Sequence, residues 1–189
     1  MTNIVAIAGS FRARSYSGRV VRVAVEGARE AGADVTVLDL NDYPLPIFNE
    51  DDVNSDGFPE NAYRLQDALN EADGFLISTP EYNASVPGGF KNAIDWASRA
   101  NDRYKTYSVF KDRTAAIISS STGRFGGIRG LGHLRGILTQ MGIVVLPSEV
   151  SVSGVAEMFA GEGGEMTDER MRTTLKAHGA ALVKALSRK

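Results

Sequence analysis

Ile4-Val5-Ala6-Ile7-Ala8-Gly9-Ser10-Phe11-Arg12-Ala13-Arg14-Ser15-Tyr16-Ser17 places a strand, a turn and the start of a helix in one short segment. The apolar run Ile4 to Ala8 has no polar alternation, which is the pattern of a strand buried on both faces. It ends at Gly9-Ser10. A polar, basic turn follows, and from about Ser17 to Ala31 the apolar residues Val21, Val25 and Ala28 recur at helical spacing, with Gly32 as terminator. A doubly buried strand feeding a helix is the opening of a parallel sheet covered on both sides.

The alternation continues outward. Val35-Thr36-Val37-Leu38 reads as a second strand. Leu40 to Pro59, with three prolines, several acids and little periodicity, reads as an extended loop, long enough to suggest a function or an interface. Ala62, Leu65, Leu69 and Ala72 mark a helix with one apolar face. Gly74 to Ser78 is a third strand, Gly88 to Ala100 a helix, and Thr114 to Ile118 a fourth strand closing in Ser119-Ser120-Ser121. Leu131, Leu134, Leu138 and Met141 mark another helix, and Ile143 to Leu146 a fifth strand. A loop containing Gly and Glu runs from Gly154 to Thr167. The last helix starts near Thr167 as N-cap, with Met166 and Met171 placed to staple it and Leu175, His178, Leu182 and Leu186 on one face. Five strands alternating with five helices predict an α/β, doubly wound, five-stranded parallel sheet with helices on both faces. A single domain over 1–189 is expected.

Composition removes whole classes of function. The 189 residues are 43% hydrophobic and 23% charged, with 21 Lys plus Arg against 23 Asp plus Glu, a net charge of -2. That balance does not build a nucleic-acid-binding surface. Absence of cysteine excludes disulfides, thiolate metal sites and a cysteine nucleophile. No apolar run reaches the ~18 residues of a membrane helix, and the start lacks the pattern of a signal peptide. A cytoplasmic protein is expected. The two histidines lack metal-ligand spacing, and no familiar hydrolase pattern occurs, so no metal and no side-chain catalyst is predicted. His133 and His178 are read as packing residues, Lys91 and Asp95 as an i, i+4 pair, and Trp96 as a core or interface residue.

In such sheets ligands bind beyond the carboxyl ends of the strands. Three segments there are unlike ordinary connectors. Gly9 to Ser17 combines hydroxyls, Arg12 and Arg14 with a helix N-terminus, which suits a terminal monophosphate; its spacing is neither GxxxxGK[ST] nor GxGxxG. A capped helix start with solvated arginines is the alternative. Thr79 to Gly88, stiffened by Pro80 and Pro87, offers the flat face of Tyr82 and the polar groups of Asn83 to a heteroaromatic ring, or forms only a turn into a helix. Ser119 to Gly127 lets backbone approach a ligand closely through its glycines, or is merely a flexible loop. Arg124 and Arg129 could meet a second anion. If the protein is an enzyme, a cofactor must carry the chemistry.

With these motifs in view, the sequence resembles the NADPH-dependent FMN reductase family. Gly9 to Ser17 is similar to that family's GSxRxxSxN, with Ser17 in place of the usual Asn. Pro80 to Trp96 is similar to PEYNxSxPGxLKNAIDW, and Ser121 to Gly127 to its Ser-x-Gly-x-x-Gly-Gly. Asp42-Tyr43-Pro44-Leu45-Pro46 also resembles the family's loop after the second strand. The resemblance runs from Ile4 to about Val150. It implies a flavodoxin-like strand order 2-1-3-4-5. It also implies FMN held at its phosphate by Ser10, Arg12, Ser15, Tyr16 and Ser17, and at its ring by Pro80, Glu81, Tyr82 and Asn83 on one edge and Ser121, Thr122, Gly123 and Gly126 on the other. The implied activity is ping-pong transfer from NADPH or NADH through FMN to a small acceptor such as a quinone, azo compound, free flavin or metal oxyanion. A homodimer or homotetramer is implied, with Tyr82 and Arg129 reaching the neighbouring subunit. Arg14, Arg124 and Arg129 are candidates for a nucleotide 2′-phosphate. The rival readings are a flavodoxin-type electron carrier serving a protein partner and a flavin-free interaction protein.

Overall fold

The computed structural model describes residues 1–161 and 164–188; residues 162 and 163, inside the predicted 154–167 loop, lie outside the described residues. The strands are β1 (Asn3–Ala8), β2 (Asp34–Leu38), β3 (Gly74–Pro80), β4 (Thr114–Ser120), β5 (Val144–Val145) and β6 (Val150–Val152). The helices are α1 (Tyr16–Glu30), α2 (Glu50–Asp56), α3 (Glu60–Asn70), α4 (Gly88–Ala97), α5 (Ile128–Gln140) and α6 (Glu169–Leu186). All ladders between these strands are parallel, in the order β2-β1-β3-β4-β5, and β6 also pairs with β4.

Alternation along the buried strands divides the apolar residues into two layers. Val5, Ile7, Phe75, Ile77, Ala115 and Ile117 face α3, α4 and α5. Ile4, Ala6, Leu76, Ala116 and Ile118 face α1 and α6. The second layer is closed by an unusually near approach of α1 and α6. A Cβ on Gly27 would lie 2.0 Å from the Lys176 carbonyl oxygen, and one on Gly179 would lie 2.0 Å from that of Ala24. Only glycine lets the two backbones meet there.

The fifth strand position is broken, where one continuous strand over Ile143 to Leu146 is predicted. β5 pairs with Thr114 and Ala115, β6 with Ile118 to Ser120, and the chain between them leaves the ladder. Pro147 lies in this detour and has no N–H to give to a ladder. Arg135 of α5 clasps the detour, donating to the Leu146 carbonyl (2.9 Å) and to Glu149 (2.8 Å). The Arg113 and Ala115 carbonyls accept from Val144 and Leu146, so by alternation the Ile117 carbonyl points into the gap. His178 Nε2 meets it at 3.1 Å and must carry the proton, because a carbonyl only accepts. Burial pushes the His178 pKa down and outweighs the opposing effects of this bond and of Glu149.

Three other expectations change. Leu40 to Pro59 is not one extended loop: it holds a single 3₁₀ turn at Leu40–Asp42 and the helix α2. Asn49 caps α2 through the Asp51 N–H, and Glu50, Asp51 and Asp52 suit the positive end of its dipole. α2 buries no residue, so no apolar period marks it. The helix predicted to reach Ala100 ends at Ala97. Gln66 takes the carbonyls of Ala97 (3.2 Å) and Arg99 (2.8 Å), and Ser98 Oγ takes that of Asp95. Asp168, not Thr167, caps α6, accepting from Met171 N–H at 2.9 Å, while the Thr167 N–H is tied to the Met158 carbonyl. The predicted staple positions shift with it, although Met166 and Met171 both pack in the α1/α6 layer.

The segment after the 3₁₀ turn is strapped to α4. Asn92 accepts from the Phe48 N–H (2.8 Å) and donates to the Pro46 carbonyl (2.9 Å), which also receives Trp96 Nε1 (2.8 Å). Trp96 is fully buried with Phe48 and Phe58 edge-on to it. Lys91 and Asp95 pair at 2.7 Å, as their spacing predicts.

Candidate functional site

The carboxyl ends of β1, β3 and β4 open into one recess of about 150 Å³. The β1–α1 connection brings Ser10, Arg12, Ser15, Tyr16 and Ser17 to it, the segment after β3 brings Pro80, Glu81 and Tyr82, and the segment after β4 brings Ser121 and Thr122. The sequence thus names most of the lining. Ser120, at the last position of β4, and Val155, in a 3₁₀ turn at Val155–Met158, also line it; Ser120 falls in the predicted Ser119 to Gly127 segment but is not among the named FMN residues, and Val155 is in neither. Ser120 was legible as the end of a strand run. Val155 lies beyond the recognisable motifs and carries no signal of its own.

The first connection leaves polar groups open. Ser15 caps α1 by accepting from the Gly18 N–H at 3.1 Å, and the Ser15 N–H goes to the Arg12 carbonyl. Among the described residues no hydrogen bond takes the N–H groups of Tyr16 and Ser17 in the first turn. No acidic side chain occupies that turn, so the positive end of the dipole is uncompensated. Ser17 Oγ is buried and unpartnered, as is Ser120 Oγ across the recess. The Arg12 side chain is exposed, and no ion pair engages it among the described residues. Buried hydroxyls without partners are uncommon in native chains. Here they face a recess with an electropositive floor.

The opposite wall is closed on itself. Tyr82 and Ser85 exchange backbone hydrogen bonds (2.9 and 3.0 Å) around Asn83 and Ala84, a two-residue hairpin with both central residues left-handed, at φ 50° and 65°. Asn tolerates this region, whereas Ala holds it at a cost of about 1–2 kcal/mol. Glu81, with only 8% of its side chain exposed, reaches the N-terminus of α5. It accepts from the N–H groups of Arg129 (3.0 Å) and Gly130 (3.1 Å), from Arg129 Nε (2.9 Å), and from Arg129 Nη2. α5 begins after Gly127, which has no side chain to cap it; Glu81 supplies that cap from another connection. Burial pushes the Glu81 carboxyl up, but the hydrogen bonds from Arg129 and Gly130 and the guanidinium charge outweigh it, holding the pKa below the ordinary value.

Asn83, Gly123 and Gly126 do not line the recess. Asn83 sits at the exposed hairpin tip. The Gly123 carbonyl accepts from the N–H groups of Gly126 and Gly154. The Gly126 carbonyl accepts from Ser119 Oγ (2.7 Å), and a Cβ there would meet Ser151 Oγ at 2.4 Å. These two glycines shape the wall from behind. His133, read as a packing residue on α5, is exposed with its Nδ1 2.9 Å from Ser85 Oγ. Tyr82, Phe125 and Ile128 stand about half exposed (48%, 60% and 52%), and the Arg129 guanidinium lies over the Phe125 ring. Among the described residues, no cluster of His, Asp or Glu could hold a metal ion, and no helix is long and apolar enough to cross a membrane.

Comparison with known proteins gives concordant findings. Residues 2–157 match the family model described as NADPH-dependent FMN reductase. The chain is 34% identical over 180 residues to a NAD(P)H-dependent FMN reductase of Pseudomonas aeruginosa, covering 95% of this chain and 92% of that one. It is 34% identical over 170 residues to a quinone reductase of Escherichia coli, covering 88% and 85%. Its structure is similar to that of a flavoenzyme NAD(P)H:(acceptor) oxidoreductase from Paracoccus denitrificans, with a TM-score of 0.82, 31% identity, and coverage of 100% and 98%.

Proposed function

The chain belongs to the NADPH-dependent FMN reductase family, and from that premise we propose that the recess beyond β1, β3 and β4 holds FMN for electron transfer from NAD(P)H to a small acceptor. The observation that carries the reading is the set of unspent polar groups on one side of the recess. Ser17 Oγ, Ser120 Oγ and the first-turn N–H groups of α1 match what a phosphate monoester needs, and Arg12 adds a charge-assisted bond. The recess is smaller than the roughly 300–1,000 Å³ of sites that engulf a drug-sized ligand. It suits the narrow phosphate end, with the ring against the open rim.

When bound, FMN supplies the two-electron chemistry that this chain's side chains lack. The protein's part is placement. The α1 N-terminus and Arg12 anchor, Pro80 and Tyr82 bound one edge of the rim, and Ser121 and Thr122 bound the other. The exposed face of Tyr82 leaves room for a flat visitor, as alternating donor and acceptor require. A quinone is the acceptor class this reading favours. Two further parts belong to it. The half-exposed apolar side chains of Tyr82, Phe125 and Ile128 fit burial against a second copy, Arg129 and Tyr82 included, in a dimer or tetramer. Dependence on reduced pyridine nucleotides fits a cytoplasmic setting.

The test is direct. The full chain reconstituted with FMN should retain the pigment through desalting, and NADPH or NADH alone should bleach it anaerobically with no second protein present. Failure to retain flavin would sink the site. Retention without bleaching would favour a carrier that takes single electrons from a protein partner.

A further inference from the structure

The two connections that wall the recess are joined by contacts in matched spacing. Glu81 and Ser85 lie four apart on one side, and Arg129 and His133 lie four apart on α5. Four residues is the spacing that puts successive helix side chains on one face. A Cβ on Gly130, between the two contacts, would lie 3.3 Å from the Ser85 carbonyl oxygen, so hairpin and helix are nearly in backbone contact.

We propose that Glu81 is a positioning residue for the reductase reaction: with the Ser85–His133 contact it clamps the hairpin to α5 and fixes Tyr82 and Asn83 at the rim. This rests on the reading that the flavin occupies the recess. A carboxylate has about four acceptor sites, and the four donors from Arg129 and Gly130 use them. Glu81 therefore has no free lone pair with which to hold a ligand, although it lines the recess. Its effect passes to the rim through the hairpin. Ala84 there occupies a left-handed conformation that persists only where its surroundings impose it. Type I′ hairpins favour Asn-Gly at the two central positions, and here the second position is Ala84. The clamp does the work that glycine would do locally.

The experiment uses the FMN-reconstituted full chain with Glu81→Gln, Ser85→Ala and Ala84→Gly, singly and with Ala84→Gly added to each of the others. Expected for Glu81→Gln is a fall in kcat of about 5- to 20-fold and a shift of the flavin absorption bands, with the FMN dissociation constant moving less than about 3-fold. Ser85→Ala, which keeps the α5 cap, should act in the same direction to a smaller extent and carries the test if Glu81→Gln does not fold. Ala84→Gly should restore several-fold of kcat in both backgrounds, because glycine adopts the hairpin without help. A purely structural cap on α5 would show no such rescue, and its absence overturns the proposal. A loss of FMN affinity above about 10-fold in Glu81→Gln also overturns it, by making Glu81 a direct ligand. Arg12→Ala run in parallel separates the two readings: tight FMN retention by that variant counts against the recess itself, whatever the Glu81 variants do.

Discussion

The two sides of the recess follow opposite plans. From Ser10 to Ser17 the chain leaves a buried hydroxyl, two helix N–H groups and a guanidinium uncommitted. From Glu81 to Ser85 the buried carboxylate of Glu81, the Ser85 hydroxyl and the backbone groups of Tyr82 and Ser85 are answered within the protein, by the hairpin itself or by the first turns of α5. The contrast separates groups left open to a ligand from groups that hold a shape. Proximity to a site does not by itself distinguish them; whether their hydrogen-bonding capacity is already used does.

The sharpest way to break this contrast is Arg12→Ala. It should weaken FMN binding by about 10- to 100-fold, the equivalent of one charge-assisted bond of roughly 1.5–3 kcal/mol. The stability of the flavin-free chain should stay within about 0.5 kcal/mol. Fluorescence titration and urea unfolding measure the two. Glu81→Gln should invert the pattern: the flavin-free chain loses about 1–2 kcal/mol, as when a helix loses its cap, with little change in FMN affinity. Ser17→Ala gives a smaller effect. FMN affinity should fall several-fold, while the flavin-free chain is unchanged or slightly more stable, because the variant removes a buried hydroxyl that had no partner. Equal effects of Ser17→Ala and Glu81→Gln on both quantities would erase the distinction.

Acid unfolding offers the smallest contrast. The folded Glu81 carboxyl sits below its ordinary 4.5, so the unfolded chain takes up the proton first as pH falls. Its stabilisation is complete above about 4.5 and is lost as pH drops through the folded value. His178, also held below its ordinary 6.5, has the same sign in a higher window. Its contribution is complete above about 6.5 and shrinks as pH falls toward the folded value. Urea midpoints of the flavin-free chain should therefore decline in two stages, with Glu81→Gln removing part of the lower stage. The Arg12 loop should add nothing to either.

Much of this was legible along the chain. Buried strands such as Ile4–Ala8 and Thr114–Ile118 are uninterrupted apolar runs, and α3 and α5 carry clear apolar faces. What was hidden has physical causes. α2 buries nothing, so only its Asn49 cap and acidic first turn mark it. The break in the fifth strand needs partners on β4, α5 and α6 that no local pattern reveals. In the recess, the residues of the β1–α1 connection could be named because a helix start with hydroxyls and arginine is chemistry in sequence order. The contacts of Glu81 with α5 are hidden in the sequence because its partners lie 48 and 49 residues away. Gly123 and Gly126 were read as approaching a ligand, whereas the surface they approach is the protein's own 151–154 segment.

The seam between Gly27 and Gly179 bears on how the molecule is made. Chains emerge from the ribosome N-terminal end first, so β1 to β4 and the whole β1–α1 connection are available before α6 has been synthesised. Until then the part of the sheet face that α6 will cover, and the side of α1 that Gly179 will meet, stand open to water. α1 is thus among the first helices translated and among the last to gain its full backing. Pigment uptake during translation should wait for the final segment of the chain.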